Sequence, residues 1–422
     1  MRSSLLSACL ALATCLTVTA CGGAAPADAS VLRVAVWDTG TGTDPIDTAV
    51  AEFRATHPGV TVELDRTAYA QYEQSLRLQL STGQPPDVVR LVTGYGDAGT
   101  ALALADRGVL SDLTAAPWVA QIPPAATENT NKNGKTYALP VDSAVIGTFY
   151  DPAKFTERGI AVPTTFADVL AICRKVHGSG TVAFAMGADD ASGMTQFLGF
   201  ALAASTAFVD EPDFAAKRLA GQATFAGSPG WLRALQNLQE MVRAGCFSPD
   251  AAGTSQEAAS QSLGQGSALM AVAPTLVQPL IQAGDPAAKF AMFPFPGAAA
   301  DSTRVNTGPI SGLGVPARAR NPQLAREFLD FYAANRAKYA AIDDSVPAIP
   351  AQAGDPGVPG YASAVAPLVA AGRTAPIMDG QWPNPEVLVR FKAGITGILL
   401  GQQQPLDVLT AMDAAWTSEL PK

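Results

Sequence analysis

A chain of 422 residues is long for one hydrophobic core, and its 48% hydrophobic composition supplies apolar material for two domains. A formal net charge of −9 makes it a poor ligand for nucleic acid. Its two histidines, His57 and His177, both sit at predicted helix ends, and no C-x-x-C, H-E-x-x-H or G-x-S-x-G occurs, so no metal centre or nucleophilic triad is signalled.

The N-terminus carries Arg2 and then an apolar run over residues 5–20, too short to span a bilayer comfortably, which reads as a signal peptide. Val18-Thr19-Ala20-Cys21 resembles a bacterial lipobox, in which Cys21 receives lipid and becomes the mature N-terminus. Residues 21–30 then form a tether, and no later stretch approaches eighteen uninterrupted apolar residues.

Residues 31–37 alternate as a strand and end at Asp38-Thr39-Gly40, a turn at the strand edge where open α/β sheets bind ligands. Ile46, Ala49, Val50 and Phe53 mark a helix stopped by His57-Pro58-Gly59, and residues 60–64 form a second strand. Tyr72, Leu76 and Leu80 stripe the next helix, and a third strand follows Pro85-Pro86-Asp87. Gly94-Tyr95-Gly96-Asp97-Ala98-Gly99 matches G-x-G-x-x-G, but its strand is not the first of its unit; it reads as a turn into a helix capped by Asp97, with Thr93 and Tyr95 facing a cleft.

Residues 134–155 read as a crossing between lobes. Val141, Ala144, Val145, Ile146, Phe149 and Tyr150 form β-rich apolar runs, interrupted by Asp142 and Ser143, polar groups that a fully buried strand would have to satisfy. Gly134-Lys135-Thr136 looks like the tail of a phosphate loop, but Asn129 stands where that loop needs glycine. Thr165 and Asp168 predict a capping box on a helix whose apolar stripe includes Cys173. A strand over residues 181–186 leads into a polar loop carrying Asp189 and Asp190, and Ser228-Pro229 opens a helix bearing Trp231, Leu235, Leu238 and Val242. Export permits a disulfide between Cys173 and Cys246; two buried free thiols fit the apolar stripe equally well.

Several phrases, in order, resemble the extracellular solute-binding proteins of ABC importers in the maltose-binding-protein-like cluster, the family 1 sugar-binding lipoproteins. They include His57-Pro58-Gly59-Val60, the Pro86-Asp87-Val88-Val89 strand, Gly134 to Pro140 with Tyr150 and Phe155, the Gly308 to Val315 strand bearing Ser311, and the Asn321-Pro322 helix with Leu324 and Phe328. The resemblance covers essentially the whole mature chain.

It implies an α/β, two-lobe periplasmic-binding-protein-like fold of type II, each lobe a sheet flanked by helices, joined by about three crossings near Ala144, Phe293 and Asn335. Residues 31–143 and 293–335 would form the first lobe, 144–292 and 336–422 the second. It further implies a lipid-anchored monomer at the outer face of the bacterial membrane, without cofactor, handing a sugar to permease subunits.

A sugar asks for planar polar groups and aromatic faces. Asp38, Asp142, Asp189, Arg373, Asp379 and Gln381 are candidates for the first, and Tyr95, Trp231 and Trp382 for the second, Trp382 standing in a kinked polar loop. A glycerophosphodiester or another polar solute is the alternative cargo, and a glycan-cleaving enzyme on the same architecture the other reading.

Overall fold

The computed structural model describes residues 30–38, 44–96, 98–189, 193–342, 345–350 and 358–418. The expected leader and Cys21 lie outside them. So do Asp97 and Asp190.

The chain begins as alternating strands and helices. Strand β1 (Val31–Trp37) is followed by helix α1 (Pro45–Thr56), β2 (Thr61–Thr67), α2 (Tyr69–Thr82), β3 (Val88–Val92) and α3 (Ala101–Asp106). Asp44 caps α1 by accepting the Ile46 N–H at 2.9 Å. The α3 N-cap is Thr100, one turn later than the Asp97 cap expected from sequence. β1 pairs in parallel with both β2 and β3, as strands joined through crossover helices do.

Two long strands carry the chain between two cores. The first, Leu139–Tyr150, pairs antiparallel with the second, Val305–Gly314, for most of its length. At one end the second strand pairs antiparallel with β3. At the other end the first pairs with Ala268–Pro274 and Ala291–Phe293. One continuous sheet results, with the two crossing strands at its middle.

Packing divides at the polar step. Leu139 and Val141 join the core of β1, α1 and the long helix Pro322–Ala340, whereas Val145, Ile146 and Phe149 join a separate and larger core. Asp142 and Ser143, between them, are only half-buried. The apolar–polar–apolar pattern read from the sequence is thus a strand that leaves one core, crosses a gap and enters another.

Two of the expected crossings fall elsewhere. Phe293 and Val305 both pack in the larger core, so the return occurs within Val305–Gly314, where register shifts at Pro309 and Ser311 bend the strand. Asn335 lies inside Pro322–Ala340, and Ile349 still packs in the smaller core, while Val358 packs against the larger.

The larger core is rich in aromatic rings. The Thr165–Asp168 capping box opens its helix Phe166–Val176 as expected, and Cys173 from that helix forms a disulfide with Cys246, which settles the two sequence alternatives in favour of the bond. The Gly134-Lys135-Thr136 segment belongs to a small hairpin of Asn131–Lys132 and Lys135–Thr136; Asn133 and Gly134, with φ of 51° and 77°, are the left-handed pair of its two-residue turn.

Candidate functional site

The gap between the cores holds a cavity of about 810 Å³, within the range of small-molecule sites. One wall comes from the smaller lobe: Trp37 and Asp38 at the C-terminal end of β1, Arg90 and Val92 of β3, and Ile310 and Ser311 of the return strand. The opposite wall comes from the larger lobe: Phe197, Gln256, Thr275, Gln278 and Tyr361. Asp142 and Ser143 form the floor between them.

The floor is built around Arg90. A charged residue inside an apolar strand is costly unless paired, and Arg90 is paired twice: Nη2 donates to Asp142 Oδ2 at 2.8 Å, and Nη1 to Asp44 Oδ2 at 3.2 Å. Burial opposes its charge, but the two carboxylates outweigh burial and hold the guanidinium above its ordinary pKa. Arg66 also donates to Asp44, at 2.8 Å, so the inner carboxylate is shared by two cations. Ser311 Oγ donates to Asp142 Oδ2 at 2.6 Å, which ties the two crossing strands together at the cavity. The Trp37 ring lies over the guanidinium, 4.7 Å from ring centroid to Arg90 Cζ, and meets Tyr72 edge-on.

Polar groups on the opposite wall are anchored by their neighbours. Gln256 Oε1 accepts from the Gly193 N–H at 3.1 Å, and Tyr361 donates its hydroxyl to the Thr275 carbonyl at 3.1 Å. Tyr361 is half-buried beside Phe149. The cavity thus offers aromatic faces at Trp37, Phe197 and Tyr361 and side-chain donors or acceptors at Asp38, Asp142, Ser143, Gln256 and Gln278. Among the described residues no cluster of three or more His, Cys, Asp or Glu side chains is grouped as a metal site would be.

Of the residues singled out from sequence, Asp38, Asp142, Ser143 and Ser311 line the cavity. Thr93 does not: it is buried and donates to the Pro309 carbonyl at 2.8 Å. Tyr95 turns away, its hydroxyl between Asp106 and Lys132. Trp231 and Trp382 are 0% and 3% exposed, packed with Phe200, Phe225 and Phe391 in the larger core. The expectation for Trp382 fails because its polar loop is a thin cover over that core. The rings of three helices reach up under it.

Four other candidates are also outside the cavity. Arg373 donates to the Thr303 carbonyl at 2.7 Å, and the Asp189 N–H to the Thr254 carbonyl at 3.3 Å. Asp379 and Gln381 belong to a contact between the lobes: the Tyr95 N–H donates to the Gly380 carbonyl at 2.7 Å, and Gln381 donates to Glu128. Asp379 is half-buried there with its Oδ1 enclosed, and desolvation pushes its carboxyl up to about 6.

Sequence reading missed Trp37, Arg90, Phe197, Gln256, Gln278 and Tyr361. For two of them a signal was present: Trp37 ends a strand whose following turn was already assigned to the ligand edge, and Arg90 interrupts the apolar run Val88-Val89-Arg90-Leu91-Val92. The others come from helices and loops that meet the cleft only through tertiary packing.

Comparison with known proteins decides the family. The family model for bacterial extracellular solute-binding proteins matches residues 39–339. The chain belongs to that family. It is 20% identical to the multiple sugar-binding protein of Streptococcus mutans over 311 residues, 71% of each chain. A family 1 extracellular solute-binding protein from Bifidobacterium longum subsp. infantis has the same fold at a TM-score of 0.73, with 21% identity over 92% of this chain and 98% of that one. The solute-binding protein RafE in complex with raffinose aligns at a TM-score of 0.70 and 18% identity, covering 91% and 98%. These likenesses span the architecture described above, and the proteins in them are binding proteins.

Proposed function

We propose that this solute-binding protein captures a neutral sugar, a small oligosaccharide, in the cleft between its two lobes and delivers it to the permease of an ABC importer. The observation that carries this reading is the charge balance of the cavity. Among the described residues its charged lining consists of Asp38, Asp142 and Arg90, and the one cation among them is already bound to two carboxylates. An anionic solute entering the cleft would meet carboxylates and no available guanidinium, so the cavity disfavours a glycerophosphodiester. A neutral polyhydroxylated ring meets aromatic faces and in-plane acceptors and amides, which suit its C–H and O–H surfaces. The relatives that bind multiple sugars and raffinose support the same reading.

In this account residues 31–142 and 311–349 form one lobe and residues 143–308 and 358–418 the other, and they close on the ligand by bending at the crossing strands. Residues 1–20 are a signal peptide and Cys21 carries the lipid that holds a monomeric receptor at the outer membrane face. The protein binds and releases its cargo unchanged. A thermal-shift screen of the mature domain tests the reading: a neutral mono- or oligosaccharide should raise Tm by a concentration-dependent amount, and glycerophosphodiesters should not. Stabilisation by phosphodiesters alone overturns it.

A further inference from the structure

A second cavity, of about 230 Å³, adjoins the cleft and shares Trp37, Arg90 and Val92 with it. It runs from these residues between α2 and α3. Leu76, Leu80, Leu91, Leu104 and Val109 supply its walls, and Ala98 lies at its edge. Its chemistry is unlike that of the cleft. Its charged lining residues are Glu73, Arg77 and Arg107, the first half-buried and the other two exposed, with Arg107 donating to the Ala98 carbonyl at 2.6 Å, and Arg90, whose charge is paired on the cleft side.

A chamber walled mainly by aliphatic side chains, with few polar groups such as Ser81 and Thr100, leaves most sugar hydroxyls without the hydrogen bonds they make to water. An apolar group gains on entering. An apolar protein cavity of about 150 Å³ already admits a benzene ring, so this one has room for a phenyl ring or a short alkyl chain. Trp37 forms the partition: it is half-buried and contributes to both spaces.

We propose that this chamber is a subsite for an apolar aglycone, so that the receptor takes glycosides whose sugar lies in the cleft and whose aryl or alkyl group passes Trp37 into the space between α2 and α3. The inference rests on the sugar reading of the cleft. It narrows the cargo to amphiphilic glycosides.

Calorimetry on the mature protein tests it with matched methyl and phenyl glycosides of glucose, galactose, mannose and xylose, both anomers of each. For the sugar that fits the cleft, the phenyl glycoside should bind about tenfold or more tightly than its methyl partner, the scale expected for burying one aromatic ring. Leu80→Trp, at a half-buried position on α2, and Ala98→Phe, in an exposed loop, each fill the chamber from its edge with little cost to the core. Either should abolish the phenyl advantage and leave methyl-glycoside affinity unchanged. Ligand-observed NMR with phenol gives a readout independent of the sugar: phenol should bind the wild type and fail to bind both variants. Equal affinity for phenyl and methyl glycosides overturns the subsite while leaving the sugar reading intact. Phenol binding that persists in both variants overturns it too. Binding of phenol with no glycoside bound at all overturns the sugar reading instead, and with it the aglycone assignment.

Discussion

Arg90 of β3 and Asp142 of the first crossing strand form a 2.8 Å ion pair at the floor of the cleft, where the chain passes from one core to the other. The Arg90 side chain is 8% exposed and Asp142 is half-buried. Removing the cation leaves Asp142 without its ion-pair partner, while Asp44 keeps Arg66. Arg90→Met should therefore cost about 3 to 5 kcal/mol of stability in chemical denaturation, far more than an exposed pair would. A loss below about 1 kcal/mol would show that the pair does not organise the floor.

Trp382→Ala should behave as a core truncation. The ring packs edge-on against Phe200, Phe225 and Phe391, so its loss should cost about 3 to 5 kcal/mol and lower the ligand-free Tm, with ligand affinity within a few-fold of wild type. Weakened binding at unchanged Tm would return the residue to the ligand site.

Asp379 should give the protein an unusual pH dependence. Its carboxyl is raised by burial from 3.8 to about 6, and no hydrogen bond satisfies its Oδ1. Between those values the folded state holds a proton that the unfolded state has released, so ν_U − ν_N is negative and this group's contribution to stability falls as pH rises from about 4 to about 6. The loss is on the order of 2 to 3 kcal/mol. Subtracting the Asp379→Asn profile from that of the wild type isolates it from the other carboxylates. The mutant should gain on the wild type across that window and stay ahead above it; a flat difference would contradict the assignment.

The Cys173–Cys246 bond closes a separation of 73 residues within the larger lobe. On the chain-entropy account such a loop contributes up to about 4 kcal/mol, so the double Cys→Ala variant should unfold at clearly lower denaturant while the smaller lobe keeps its secondary structure. An unchanged midpoint would mean that the bond adds nothing to the packed helix that carries Cys173.

Local sequence carried most of the architecture. Caps at Thr165 and Ser228, the strand of residues 31–37 and the polar interruption at Asp142-Ser143 are short-range signals, and each marks the element it predicts. The site was half legible for a related reason. Asp38, Asp142, Ser143 and Ser311 sit at strand ends or crossings, where topology alone directs them to the cleft. Trp231 and Trp382 went the other way because an aromatic residue's destination depends on which distant rings surround it, and a loop's polarity says nothing of the core beneath. The crossing expected at Phe293 was misplaced because the short strand there pairs back onto Leu139–Tyr150 before the chain returns.

The central claim is that a neutral sugar binds against Trp37 over the Arg90–Asp142 floor. Calorimetric titration of the mature wild type and Trp37→Ala with the saccharide found by thermal shift tests this most directly. Loss of the stacked face should weaken binding about 10- to 150-fold, corresponding to about 1.5 to 3 kcal/mol. Equal affinity in the two proteins, each shown by circular dichroism to be folded, would place the ligand elsewhere and contradict the account.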